Sequence, residues 1–302
     1  MAAQRALLSD GRWHFQHGPI DIVIGADGDA SAVEAAHAAA WQRFESVLDE
    51  LVAELPLLRQ PVRGPCPLLG GMARRMWWAC RPYHSAFITP MAAVAGSVAQ
   101  ELIASYQRDG VDRAWVNNGG DIALHLAPGR SLRVGLYADL ARLDPQQVRD
   151  GIDVDGHFDV SHATPVRGVA TSGWRGRSFS LGIADSVTVL ARTAAEADAA
   201  ATVIANAVNV EDARIVRRPA CELKDESDLR DIPVTAEVPP LGSEAVLQAL
   251  RQGLRRAREL QSTRLIWSAV LVCQGQVMTT ESPALAKAVP AARQSAVGSV
   301  FA

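Results

Sequence analysis

The chain has 302 residues, 48% of them hydrophobic, with 30 basic and 33 acidic side chains and a formal net charge of -3. That length can bury a large core as one α/β or α+β domain or as two smaller ones, and the near-neutral balance speaks against broad nucleic-acid binding, which needs a strong basic footprint. Four scattered cysteines (Cys66, Cys80, Cys221, Cys273) lack zinc or disulfide spacing and read as reduced thiols of a cytoplasmic protein, and no apolar run approaches the ~20 residues of a membrane span.

The N-terminal "MAAQRALLSDGRWHF" holds too short an apolar run for a signal peptide. Residues 12–25 read as two strands around a His17-Gly18 turn, followed by a long Ala-rich helix from about Ala30 to Leu55 that Pro56 stops. Four prolines make residues 56–69 a loop. A short helix with Met76, Trp77 and Trp78 comes next, its aromatic pair expected in the core. Residues 89–110 form a helix that Thr89 can cap, with Pro90 in its first turn and Gly110 at its end. Its "AAVAGSVA" face is small enough for close approach by a neighbouring backbone or a flat ligand.

Strand signals dominate from Arg113 to Leu190, as "RAWV", "IALHL", "LRVGLYA", "HFDVSH", "RGVAT", "RSFSLG" and "SVTVLA". A second Ala-rich helix spans about Ala194 to Val208. A mixed-charge segment (211–232) leads to another strand and then to a helix from Ser243 to about Gln261. A closing hairpin turns at Gln274-Gly275, and the tail 283–302 is small and polar enough for partial disorder. One α+β domain over residues 1–282 is expected. Arg214, Arg217 and Arg218, and Arg251, Arg255, Arg256 and Arg258, read as solvated faces.

Three stretches carry the chemistry. "WVNNGGDIAL" (115–124) sets Asn117, Asn118, Gly119, Gly120 and Asp121 between two apolar runs, as a hairpin turn or as a ligand-holding loop. "GVATSGWRGRS" (168–178) places Thr171, Ser172 and Gly173 after an apolar strand, where turn chemistry and ligand binding are both served. In "TAAEADAAATVIANAV" (193–208), Asp198 and Thr202 stand one helical turn apart. Their oxygens can hold a hard cation, or Thr202 can bond its own helix while Asp198 faces solvent.

In this order the three stretches resemble the ApbE-like superfamily, whose best-known members are magnesium-dependent transferases that move FMN from FAD to a Ser or Thr of a target protein. The family's "VN-x-GGDI" matches Val116 to Ile122, its "TSG" matches Thr171 to Gly173, and its "SVTV…ADAxAT" matches Ser186 to Thr202. The resemblance implies a single α+β (T-fold-like) domain with a mixed or antiparallel sheet packed by long Ala-rich helices. It implies Mg²⁺ on Asp198 and Thr202, which become the catalytic pair, and FAD or FMN along Asn117 to Asp121 and Thr171 to Gly173; Arg175 or Arg177 is a candidate for a cation beside the nucleotide. The transferases' "AKGYAVD" is replaced by "VAGSVAQ", with Ala95 at the lysine position and Gln100 at the aspartate position. Their "H-x-x-DP-x-TG" is replaced by "GRSFSLGIAD", in which Asp185 survives.

This points to the superfamily's short uncharacterised branch and leaves three readings: a flavin-nucleotide enzyme, a non-catalytic flavin-binding or accessory protein, and an enzyme of sulfur or heterocycle metabolism using Cys66 or Cys80. The expected partners are a nucleotide, a protein acceptor and a second copy of the chain, with no nucleic acid and no membrane.

Overall fold

The computed structural model describes residues 2–137, 156–225, 227–280 and 298–299. The strands are β1 (Gln4–Leu7), β2 (Trp13–His17), β3 (Ile20–Gly28), β4 (Val111–Asn118), β5 (Asp121–Leu126), β6 (Ser131–Tyr137), β7 (Gly156–Ser161), β8 (Gly168–Ser172), β9 (Ser186–Ala191), β10 (Val216–Pro219), β11 (Pro233–Glu237), β12 (Ser268–Cys273), β13 (Gln276–Thr279) and β14 (Gly298–Ser299). The α-helices are α1 (Ala30–Ala53), α2 (Leu55–Leu58), α3 (Gly71–Cys80), α4 (Val94–Ile103), α5 (Ala194–Ala207), α6 (Ala220–Leu223) and α7 (Ser243–Ser262). The expected α+β class is realised as a nine-stranded sheet, β1-β2-β3-β4-β5-β8-β9-β12-β13, whose pairings are all antiparallel.

Both faces of this sheet are covered, which explains why its central strands read as unbroken apolar runs rather than alternating ones. Along β12, Ala269, Leu271 and Cys273 join the large core beneath the helices. Val270 and Val272 join a smaller core shared with Leu132, Val134, Phe158 and Val160 of the β14-β6-β7 sheet. Side chains one residue apart therefore belong to different cores, as a period of two dictates.

The α5 helix lies against the helix-side face at backbone distance. Its buried residues are alanines apart from Ile204, and glycines stand where neighbouring chain comes closest. A Cβ on Gly168 would lie 2.2 Å from the Thr193 carbonyl, one on Gly96 2.3 Å from the Ala194 oxygen, and one on Gly182 2.1 Å from the Ala205 oxygen. The small-residue face expected for residues 89–110 is thus a backbone contact.

Several local expectations are corrected. Pro56 does not end the helical path, because it occupies the first turn of α2, where a missing N–H costs nothing. Trp77 is buried, but Trp78 is 57% exposed on the other side of α3. Residues 89–110 are a composite: a 3-10 turn (Pro90–Ala93), α4, and a second 3-10 turn (Ala104–Tyr106). Thr89 caps nothing; its hydroxyl donates to Asp228. "RSFSLG" forms no strand, since the Asn206 side chain accepts the Leu181 N–H and the Ser180 carbonyl accepts the Thr235 N–H. The mixed-charge segment contains β10 and α6, and β1 precedes the expected first strand. The tail 283–302 lies outside the described residues except for β14.

Gly168→Ala drives a methyl group into the Thr193 carbonyl and is expected to cost about 2–3 kcal/mol, as overpacking against backbone does. Gly71→Ala, whose methyl meets nothing within 4 Å, should change stability by less than about 0.5 kcal/mol. Urea unfolding of both variants checks the contrast.

Candidate functional site

The stretch from Asn117 to Asp121 is a two-residue hairpin between β4 and β5, with Asn118 paired to Asp121. Gly119 (φ 66°) and Gly120 (φ 109°) supply the positive angles that such a turn needs. Asn117 Oδ1 accepts the Gly120 N–H at 2.8 Å. That amide is therefore committed to the turn. Asn118 points the other way and donates its Nδ2 to the Ala95 carbonyl of α4 at 3.2 Å.

Strand parity then sorts the remaining residues. Asp121 shares its face of β5 with Ala123, which lies in the core beneath the helices. It accepts the Thr171 N–H at 3.2 Å. The Thr171 side chain itself stands on the opposite face with Val169, and its hydroxyl bonds Thr188 at 2.9 Å. Of the pair expected to hold a ligand, only Ser172 shares the face of Asp121. Gly173 is needed for packing, since a Cβ there would lie 2.3 Å from the Asp185 carbonyl.

Asp198 comes to this place from α5. Its carboxylate accepts the Gly96 N–H at 2.9 Å, and the Ala95 N–H also favours its charged form. It thus caps the N-terminus of α4 from another helix. Gln100 of α4 returns the contact, accepting the Ala195 N–H at 3.3 Å near the start of α5. The glutamine at the transferases' aspartate position therefore has a structural task.

Burial pushes the Asp198 carboxyl up to about 7, against the opposing pull of the Gly96 and Ala95 N–H groups. Burial and then the nearby Asp198 charge push Asp121 well above the usual carboxylate range. Two carboxylates thus meet beside a helix N-terminus, and this pairing was not read from the sequence, which gave Asp121 a separate ligand contact. Asp198 keeps some accessible surface. Thr202 sits one turn further along α5, partly accessible, with no side-chain hydrogen bond among the described residues.

Arg175 is exposed and lies over the Trp174 ring at 4.8 Å. The cation beside the hairpin is instead Arg177, whose Nη1 is 3.1 Å from where a Gly119 Cβ would stand and whose Nη2 donates to the Pro19 carbonyl at 3.2 Å. Asp185 accepts the Trp174 Nε1–H at 3.3 Å and the Gln274 N–H, latching two turns together.

Three of the cysteines are held toward the neutral thiol by their surroundings. Cys80 is fully buried and raised by burial and by Asp198; Cys273 is raised to about 12 by burial; and Cys221 is raised by its bond to Asp231. Among the described residues no group of three or more His, Cys, Asp or Glu side chains forms a metal cluster, and no helix is long and apolar enough to cross a membrane. A cleft of about 410 Å³ opens elsewhere, and none of the carboxylate-site residues lines it.

A family model described as "AbpE bacteria" matches residues 5–279, so the chain belongs to that family. It is 37% identical over 212 residues to a UPF0280 protein of Methanopyrus kandleri, covering 68% of this chain and 78% of that protein. A UPF0280 protein of Methanospirillum hungatei is 31% identical over 208 residues, covering 67% and 77%. Among solved structures, the flavinyl transferase ApbE of Pseudomonas stutzeri aligns at 15% identity and a TM-score of 0.46, covering 94% of this chain and 95% of that one. The ApbE protein of Thermotoga maritima aligns at 12% identity and a TM-score of 0.49, covering 92% and 96%. The resemblance carried by the three motifs therefore holds at the level of the ApbE-like superfamily and its short branch.

Because folding raises the Asp198 carboxyl above its ordinary 3.8, the folded chain binds a proton that the unfolded chain has released. The stability from this group is complete below pH 3.8 and is lost as pH rises toward about 7. Asp198→Asn, which keeps an oxygen for the α4 cap, should flatten that decline in urea midpoints measured across the interval. A decline unchanged in the variant would contradict the assignment.

Proposed function

We propose that the chain binds a flavin nucleotide, FAD or FMN, at the Asp121–Asp198 carboxylate pair together with Mg²⁺. The observation that supports this reading is the buried carboxylate pair. Each member is raised by burial, and Asp121 is raised further by Asp198. A divalent cation is the species whose charge offsets both, and magnesium needs only one or two carboxylates when water and phosphate oxygens complete its shell. The residues present thus fit the ion: Asp121 and Asp198 would hold it, with the Thr202 hydroxyl one turn away on α5. When bound, the ion supplies neutralising charge to a pyrophosphate.

The chain's own groups do the positioning. Asn118 ties the hairpin to α4 through the Ala95 carbonyl, holding the turn against the helix that Asp198 caps. Val94 and Ala95 leave a partly accessible small-residue surface at the start of α4, against which a flat ring can lie. Ser172 presents a hydroxyl on the same sheet face, and Arg177 sets a positive charge at the hairpin tip. Ala95, at the transferases' lysine position, offers no cation of its own, so the anionic part of a nucleotide would rely on the metal and on Arg177. Cleavage of FAD, and passage of FMN to a protein acceptor, form the active version of this reading. Binding without turnover is the accessory version, which the missing lysine and "HxxDP" segment favour. A cysteine-based mechanism has no thiolate-favouring environment at Cys80.

Calorimetric titration of FAD with and without Mg²⁺ tests the site. Wild-type protein should bind FAD in a magnesium-dependent way, and Asp121→Asn and Asp198→Asn should each weaken that binding by about 1.5–3 kcal/mol, the range for losing a charged partner. Mass analysis of the nucleotides separates the two versions, since release of AMP marks turnover. Magnesium-independent affinity that both variants retain would overturn the reading.

A further inference from the structure

Residues 55–88 contain five arginines (Arg59, Arg63, Arg74, Arg75 and Arg81) and no aspartate, glutamate or lysine. Taking these five charges from the whole-chain -3 leaves the rest of the molecule at -8, so the stretch is a basic island on an acidic protein. Glu54, the acid just before it, is turned inward: its two oxygens accept the Leu69 and Gly70 N–H groups at 2.7 Å. Arg75 pairs with Glu101 and Arg81 lies over the Trp77 ring. Arg63 and Arg74 are exposed and make no ion pair among the described residues.

Exposed apolar side chains concentrate on the same stretch, with Leu57, Leu69, Trp78 and Phe87 all open to solvent and Leu69 88% exposed. Hydrogen bonds fix the setting of part of this stretch. The Glu54 bonds hold Leu69 beside the α1–α2 junction, and the Val62 N–H on the Ile88 carbonyl brings Phe87 next to Pro61. Arg74 and Trp78 lie one turn apart on α3. The cleft of about 410 Å³ opens here, with Arg59, Pro61 and Phe87 on one wall and residues 228–233 on the other.

We propose that this surface docks an acidic polypeptide segment carrying an apolar anchor side chain. Exposed Trp, Phe and Arg are the residue types that dominate protein interfaces, and the guanidinium fork pairs with carboxylates. The cleft admits a side chain, which a flat bilayer does not provide. Asp228 and Asp231 on the far wall, and the acidic remainder of the molecule, repel an extended polyanion such as nucleic acid or an anionic membrane. Neither Asp121 nor Asp198 takes part, so the proposal stands apart from the flavin-nucleotide reading.

The probe is a fluorescein-labelled peptide alternating glutamate with leucine and phenylalanine, beside a counterpart with lysine for glutamate, followed by anisotropy with the whole chain. The acidic peptide should bind saturably and lose affinity as salt rises. Arg63→Glu/Arg74→Glu and Trp78→Ala should each weaken it about tenfold or more, as loss of an interface anchor does. All three positions are exposed, so thermal midpoints should match wild type and show that the fold is intact. Equal binding of the lysine peptide, undiminished binding by the double variant, or no binding at all would overturn the proposal. So would a preference for phosphatidylglycerol vesicles or nucleic acid, or self-association that the double variant abolishes.

Discussion

The structure depends on how closely α5 lies on its neighbours. Glycines at 96, 168 and 182 remove the Cβ atoms that would hold it away, and its own buried surface is almost wholly alanine. Backbone-close packing of this kind fixes a helix in all directions, because any shift brings main chain against main chain. That fixed position brings Asp198 to the N-terminus of α4 and brings Gln100 to the N-terminus of α5. Each helix caps the other, so neither end can be set independently.

What this precision secures is not stability in itself. Two carboxylates brought together under burial oppose folding, and the N–H groups of Ala95 and Gly96 offset only part of that cost. A fold that keeps such a pair while building a rigid frame around it resembles other cases in which a local strain is retained for chemistry and compensated elsewhere. The compensation here is the double-covered sheet, whose β9 and β12 strands feed two cores at once.

Much of this was legible in the sequence, and the failures have common causes. The long helices announced themselves by apolar period, and the hairpins at Gly119-Gly120 and Gln274-Gly275 by their turn residues, because those signals are local. Thr171 was misplaced because a strand end has no neighbour in sequence to declare its parity; only pairing with Thr188 shows which face it takes. Asp121 and Asp198 lie on different elements far apart in the chain, so their meeting belongs to topology alone. Trp78 was misread because a hydrophobic pair on a helix points in two directions, one of which here is solvent. Gln100 looked like a loss until its contact with Ala195 gave it a role in the frame.

The nine strands are not equally joined. Five form a meander from residues 4 to 126, four more come from residues 168 to 279, and β5 joins β8 through a short ladder in which Ile122 faces Val169 and Ala123 faces Gly168, with the Leu124 N–H on the Arg167 carbonyl beside it. The Asp121 carboxylate bonds the Thr171 N–H at the end of that short ladder, adding a side-chain stitch where the main-chain pairing stops. The large core runs beneath both groups, with Ile24, Val116, Val187 and Leu271 all in it, so the short ladder is backed by shared packing. A substitution at Asp121 therefore removes a contact between the two strand groups as well as one carboxylate of the buried pair.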